Sequence, residues 1–323
     1  MTRLNRRHFL SLAGAGALGA CAPAILTPQM GDDPFEGGIG GTGIVGLMVG
    51  TGSVLINGLR VELSGTTRIL ANGRRASDTM LVPGTALSMV ARARLGRFEA
   101  LQIDIDAPLI GTLTRAGGVY AINGTALRVA SGQAAGAVVG QRVVAHGIWQ
   151  PDGSLRTSLL QRATTSGDSV AGVAVGSPDT GWRIGQTPIA LPRGSILVAG
   201  QFALASGQFA NGSLTTSNVT LGRFRGGQAL RQLSIEGYLE PITAAPGFRI
   251  SGLGHSFDRR LALDPFAQTR ALYFGPYDGR FRARRAVVLP EGIQTRRSLL
   301  RPDDGANLAS TLTGSDVRAI DLK

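Results

Sequence analysis

Residues 44–63 read IVGLMVGTGSVLINGLRVEL. An apolar strand with a glycine at its centre, Ile44-Val45-Gly46-Leu47, is followed by Asn57-Gly58 set between two apolar runs. Both residues of Asn-Gly tolerate φ > 0, so the stretch predicts strands joined by a type I′ hairpin turn. The layout returns three times. Leu109-Ile110-Gly111-Thr112, Val170-Ala171-Gly172-Val173 and Ile235-Glu236-Gly237-Tyr238 repeat the strand, and turn glycines follow at Gly124, Gly185 and Gly252. A second hairpin signal comes later in each unit: Leu95-Gly96-Arg97, Asp152-Gly153-Ser154, Asn211-Gly212-Ser213 and Asp278-Gly279-Arg280. The wider spacing in the first unit implies an insertion around 70–82.

Each unit therefore holds three strands, a connection and a hairpin. Five short strands with a bent first strand predict a small Greek-key barrel of the OB type, and a glycine suits a strand that must bend between two sheets. The expected fold class is all-β: tandem small OB-like Greek-key β-barrels, about four repeats. The expected organisation is a signal peptide at 1–20, a lipidated tether at 21–42, barrels at 43–106, 107–166 and 167–229, a divergent fourth barrel at 230–292 and a C-terminal tail at 293–323. Alternation over Arg280–Leu289 puts Phe281, Ala283, Val287 and Leu289 on one face and Arg280, Arg282 and Arg284 on the other. Arg285 falls on the apolar face.

Composition agrees with this reading. Of 323 residues, 43% are apolar and 17% charged, enough apolar surface for a core and too little charge for a solvated disordered chain. The 47 glycines argue against a helical protein, and they follow no collagen period. After the N-terminus no unbroken apolar run reaches the ~18 residues that a membrane helix needs. The formal charge is +12, with Lys323 the one lysine, so the basic residues are almost all arginine. The excess is concentrated in 223–301, where 14 arginines face 6 acids. Such a segment favours anionic partners, or forms a solvated face with a few ion pairs.

The N-terminus reads as an address. Residues 1–21, MTRLNRRHFLSLAGAGALGAC, run from a basic region through an apolar stretch, Phe9–Ala20, to small residues, the order of a secretory signal. Arg6-Arg7 before His8-Phe9-Leu10 resembles a twin-arginine export signal, with Asn5 standing where Ser or Thr is usual. Leu18-Gly19-Ala20-Cys21 resembles a bacterial lipobox, which implies diacylglycerol on the Cys21 thiol and cleavage before it. Cys21 is the sole cysteine, so no internal disulfide or multi-cysteine metal site can form. Ala22 in place of an acid implies outer-membrane sorting. Residues 22–38, rich in Pro, Gly and Asp, read as a tether.

Residues 37–46, GGIGGTGIVG, and 53–63, SVLINGLRVEL, resemble the DUF5666 family, small β-barrel repeats of bacterial exported proteins and lipoproteins with no assigned activity. The likeness is closest in units one and two, and unit four departs from it by lacking the Asn-Gly turn and carrying the charged stretch His255–Arg260. The resemblance implies a fold and a compartment.

The mature chain has two histidines, His146 inside a strand and His255 near a turn. Ser256 and Asp258 lie too close to His255 in sequence to assemble a triad, whose members converge from separate segments. Asp104 and Asp106 put two carboxylates on one face of a strand end, a pair that could hold a divalent cation or simply mark a junction between units. Nucleic-acid binding needs aromatic stacking platforms in a basic groove. Unit four comes nearest, with Tyr238, Tyr273, Phe274, Tyr277 and Phe281 among its arginines, but an exported protein rarely meets single strands. The expected function is a non-enzymatic cell-envelope lipoprotein that binds a protein, lipid or glycan partner, without cofactor or metal. An envelope enzyme acting on cell-wall carbohydrate and an oligonucleotide-binding protein are the alternatives. The residues singled out are Cys21 for lipidation, Arg6 and Arg7 for export, and Arg280, Arg282 and Arg284 as an outward anion-binding stripe, with Arg259, Arg260 and Arg270 as candidate neighbours.

Overall fold

The structure, a computed structural model, describes residues 41–94, 97–130, 138–225, 229–243, 247–258, 270–289 and 318–321. The opening stretch forms β1 (Gly41–Gly50), β2 (Val54–Ile56) and β3 (Leu59–Glu62). A hairpin of β4 (Arg68–Ala71) and β5 (Arg74–Arg75) and a 3-10 turn at Asp78–Met80 occupy the expected insertion, ahead of β6 (Ala86–Arg94) and β7 (Arg97–Ile105). β1 pairs with β2, β2 with β3, β3 in parallel with β7, β7 with β6, and β6 with β1. The circuit closes in the order 1-2-3-5-4-1, a five-stranded Greek-key barrel of OB type.

Two further circuits close in the same order. Barrel 2 consists of β8 (Leu109–Ala116), β9 (Val119–Ile122), β10 (Thr125–Arg128), β11 (Arg142–Trp149) and β12 (Leu155–Arg162). Barrel 3 consists of β13 (Asp168–Ser177), β14 (Gly181–Ile184), β15 (Thr187–Ala190), β16 (Phe202–Ala210) and β17 (Ser213–Leu221). The fourth unit has β18 (Leu230–Pro241), β19 (Gly247–Ile250), β20 (His255–Asp258), β21 (Arg270–Pro276) and β22 (Arg285–Val288). Among the described residues its circuit is open: β20 pairs only with β19, and β22 pairs with β23 (Arg318–Asp321), a strand contributed by the C-terminal tail.

The central glycine of each first strand marks a change of partner. β1 pairs with β6 over Thr42–Leu47 and with β2 from Met48. β8 and β13 change partners just after Gly111 and Gly172 in the same way. None of these glycines has positive φ. Their reason is close approach, because a Cβ at Gly46 or Gly111 would overlap the side chain of Asn57 or Asn123. At Gly172 and Gly237 the covering side chains are Ile184 and Ile250. The bend expected at this glycine is thus accompanied by a steric demand from the turn residue of the next hairpin.

Asn57 and Asn123 do two things at once. Their φ values of 53° and 52° satisfy the I′ turn, with Gly58 and Gly124 at 74° and 77°. Their buried amides also tie barrels together. Asn57 Nδ2 donates to Val45 O at 3.0 Å in its own barrel and to Ser234 O at 3.2 Å in the fourth unit. Asn123 Nδ2 donates to Ile110 O at 2.9 Å and to Ser169 O at 3.2 Å in barrel 3. The first strands meet directly at these seams: β1 lies parallel to β18, and β8 antiparallel to β13.

One tetrapeptide completes each closed barrel. Val82-Pro83-Gly84-Thr85, Val138-Val139-Gly140-Gln141 and Val198-Ala199-Gly200-Gln201 each turn through a glycine of positive φ. The glycine N–H donates to Met48, Leu113 or Ala174 O, and the amide of that same residue donates back to the last residue of the turn. These bonds satisfy the backbone where the first strand changes partner.

Two stability outcomes follow from these turns. Gly124→Val should lower stability by about 1–2 kcal/mol or more, because a β-branched residue is strained at φ 77°, and Gly153→Val should do the same at φ 78°; chemical denaturation measures both. Asn123→Asp keeps the turn but removes the donors to Ile110 O and Ser169 O, which should cost about 1–3 kcal/mol. Asn211→Asp, in a turn at the exposed barrel 3 hairpin, should cost less than about 0.5 kcal/mol. Equal effects of the two asparagine changes would exclude the interbarrel role.

Candidate functional site

The basic hairpin connects β21 to β22. Asp278-Gly279 makes the turn, with Gly279 at φ 99°, and Tyr277 bridges to Phe281. Arg282 N donates to Pro276 O at 3.0 Å and Arg284 N to Phe274 O at 2.7 Å, around a close approach of Gly275 to the Arg282 carbonyl. This irregularity is why the regular strand begins at Arg285 and not at Arg280 as the alternation predicts. The alternation of exposure survives it. Phe281 is buried, Ala283 is half-buried, and Arg280, Arg282 and Arg284 are exposed. Arg282 forms an ion pair with Asp278, both well solvated. The side chain of Arg285 lies outside the described residues, as do Arg259 and Arg260.

Arg270 does not join this stripe. It is 4% exposed and its Nε lies 2.8 Å from Oε1 of the fully buried Glu236. The other carboxylate oxygen of Glu236 accepts from the Leu47 N–H at 3.0 Å, so the pair belongs to the seam between barrel 1 and the fourth unit. Strand alternation carries no information about a partner so distant in sequence.

The paired carboxylates are also built into a seam. Asp104 and Asp106 are buried; Gln102 donates to Asp104 at 2.7 Å and Arg225 to Asp106 at 2.5 Å. Burial raises the pKa of Asp104, reinforced by neighbouring Asp106 and opposed by the Gln102 hydrogen bond. Arg223, two residues before Arg225, donates to Ser88 Oγ at 2.6 Å and lies over the Phe202 ring at 3.7 Å. Burial pulls its pKa down to about 10, with Asp106 opposing. The segment joining barrel 3 to the fourth unit is thereby fastened across the junction of barrels 1 and 2. A cavity of about 30 Å³ lies there, with Asp106, Ser88, Trp149 and Arg223 in its lining. Among the described residues no group of three or more His, Cys, Asp or Glu is placed to hold a metal.

His146 is 3% exposed and its Nδ1 accepts from Ala86 N at 3.3 Å across the barrel 1–barrel 2 seam. Burial pushes its pKa down to about 4. His255 sits among Tyr277, Phe281 and Phe224, at ring separations of 6.0, 6.2 and 6.5 Å. Burial, with Arg223 adding repulsion, pushes its pKa down to about 3. Of the five aromatic residues singled out in the fourth unit, Tyr238, Tyr273, Phe274 and Phe281 are buried and so offer no stacking platform, while Tyr277 is half-buried. Trp149, in barrel 2, donates from Nε1 to Ala171 O at 3.0 Å and fills a space bounded by Gly172, Gly185 and Gly252. Side chains at those glycines would collide with its ring. These interbarrel roles are not legible in the sequence, because their partners lie in other units; the thrice-repeated V-x-G-[TQ] tetrapeptide is a legible signal, but of the turn within each barrel.

The class defined by this geometry is an all-β protein of OB-type barrels, with His146 and Asp106 at junctions between barrels and an exposed arginine hairpin. No protein family, curated protein or solved structure matches the chain. Cys21, Arg6 and Arg7 lie outside the described residues.

His146, buried, and His255, half-buried, set an acid response. Each has a folded pKa below the unfolded value near 6.5, so between those values the unfolded chain binds more protons and stability falls as pH falls. The melting temperature should drop as pH is lowered from about 6.5 toward 4. His146→Gln should flatten that dependence, whereas an unchanged profile would show that His146 is not held neutral in the fold.

Proposed function

We propose that this chain is an exported, lipid-anchored cell-envelope protein whose barrels form a non-enzymatic binding scaffold. The anchor is Cys21, export runs through the signal containing Arg6 and Arg7, and Ala22 directs the protein to the outer membrane facing the periplasm. The likeness to DUF5666 repeats supports the compartment, and the closed barrels agree with the kind of fold that likeness implies. One observation carries the scaffold reading. The groups most suited to proton transfer or cation binding, His146, Asp104, Asp106 and Glu236, are buried, while Arg280, Arg282 and Arg284 are exposed. Exposed arginines present planar donor forks suited to carboxylate and phosphate.

Cell fractionation tests the anchoring. Cys21→Ser should leave the protein soluble or unprocessed, since multiple acyl chains are what make such anchoring stable. Arg6→Lys with Arg7→Lys should hold the precursor in the cytoplasm. A processed Cys21→Ser protein that still fractionates fully with membranes would overturn the anchor, and undiminished export of the double variant would overturn the twin-arginine route.

A further inference from the structure

The arginine hairpin lies close to the point where the described chain leads back toward Cys21. β18 is the strand between them. On one side Leu230 pairs with Gly41 and Gln232 with Thr42. On the other side Gln232 pairs with Pro276, and Tyr277 N donates to Arg231 O at 2.7 Å. Gly41 and the base of the hairpin are thus about two strand spacings apart, roughly 10 Å. A register shift in the β1–β18 pairing skips Arg231, and Arg231 is exposed. Among the described residues, four exposed arginines, at 231, 280, 282 and 284, share this edge with a single exposed acid, Asp278.

We propose that this edge, the hairpin Tyr277–Arg284 with Arg231 beside it, rests on the anionic phosphate headgroups of the membrane that holds the lipid anchor. The inference rests on the reading of Cys21 as the anchor. Nineteen residues lie between Cys21 and Gly41, so the two are at most about 70 Å apart along the chain. An anchor at its far end keeps Gly41, and with it the neighbouring hairpin, within reach of the bilayer surface. Arginine matches phosphate through paired N–H donors, and each basic residue close to an anionic leaflet contributes to binding. The acyl chains supply retention, and the hairpin sets which edge of the body faces the lipid.

The test uses the mature polypeptide from Ala22, made without lipid, which contains the whole compact unit Pro34–Lys323. It should co-sediment with phosphatidylcholine vesicles containing phosphatidylglycerol and not with pure phosphatidylcholine. Binding should weaken with salt, because exposed charges are screened over about 8 Å at physiological ionic strength. R280Q/R282Q/R284Q should weaken it by roughly fivefold per arginine, with an unchanged melting temperature. R162Q/R183Q/R193Q removes the same charge from exposed positions on barrels 2 and 3 and should weaken it much less. Equal loss from the two triple variants would overturn the inference by showing a net-charge effect. Absence of binding to the phosphatidylglycerol vesicles, or preference for an acidic polysaccharide or single-stranded DNA at the same salt, would also overturn it. Fractionation of the Cys21→Ser protein reports on the anchor alone. If that protein leaves the membrane and the hairpin variants bind vesicles normally, the headgroup inference fails while the anchoring reading stands.

Discussion

The structure depends on the lack of room for a side chain at the midpoint of each first strand. There the strand leaves one partner for another, and the side chain of a later turn residue lies over the vacated position. In barrels 1 and 2 that residue is asparagine, whose amide reaches a carbonyl of the first strand of its own barrel and one in the neighbouring unit. A methyl group at Gly46 or Gly111 would displace the asparagine and deprive buried carbonyls of a donor. Barrel closure and barrel docking are therefore coupled through the same few atoms.

The seams place charge where ordinary burial would exclude it. Glu236 with Arg270 and Asp106 with Arg225 pair across long stretches of sequence. Removing such groups from water is expensive, and hydrophobic replacements can be as stable. Each of these acids has a basic partner at hydrogen-bond distance that is far away in sequence, so the pairs form only when the distant segments are brought together. This account explains why the residues that looked most chemical in the sequence have packing roles. His146 and Asp106 bond across junctions, to Ala86 N and to Arg225, while Asp104 is held by Gln102 of its own strand.

Legibility in the sequence followed the range of the interaction. Asn57-Gly58 and Asn123-Gly124 were readable because positive φ is a property of the residue itself. The exposure of Arg280, Arg282 and Arg284 was readable because strand alternation extends over only a few residues, and it survived the irregularity at Gly275. The bridging amides of the same asparagines were not readable, since their acceptors in Ser169 and Ser234 are set by docking. The V-x-G-[TQ] turns are hard to read for a different reason. Each residue in them is ordinary in a loop, and only their shared hydrogen bonds to the first strand show that they are one motif.

The sequence by itself determined the strands, the hairpin turns, the all-β barrel character and the recurrence of a common unit, because each is encoded by local backbone preference and by two-residue alternation. The tertiary structure decided that β1 lies against β18, that Arg270 is buried on Glu236 and absent from the surface stripe, that Trp149 seals a junction of glycines, and that the C-terminal tail adds a strand beside β22. These are contacts between residues far apart in the chain. Their free energy depends on whether a complementary surface is brought opposite, and no local pattern of residues records that.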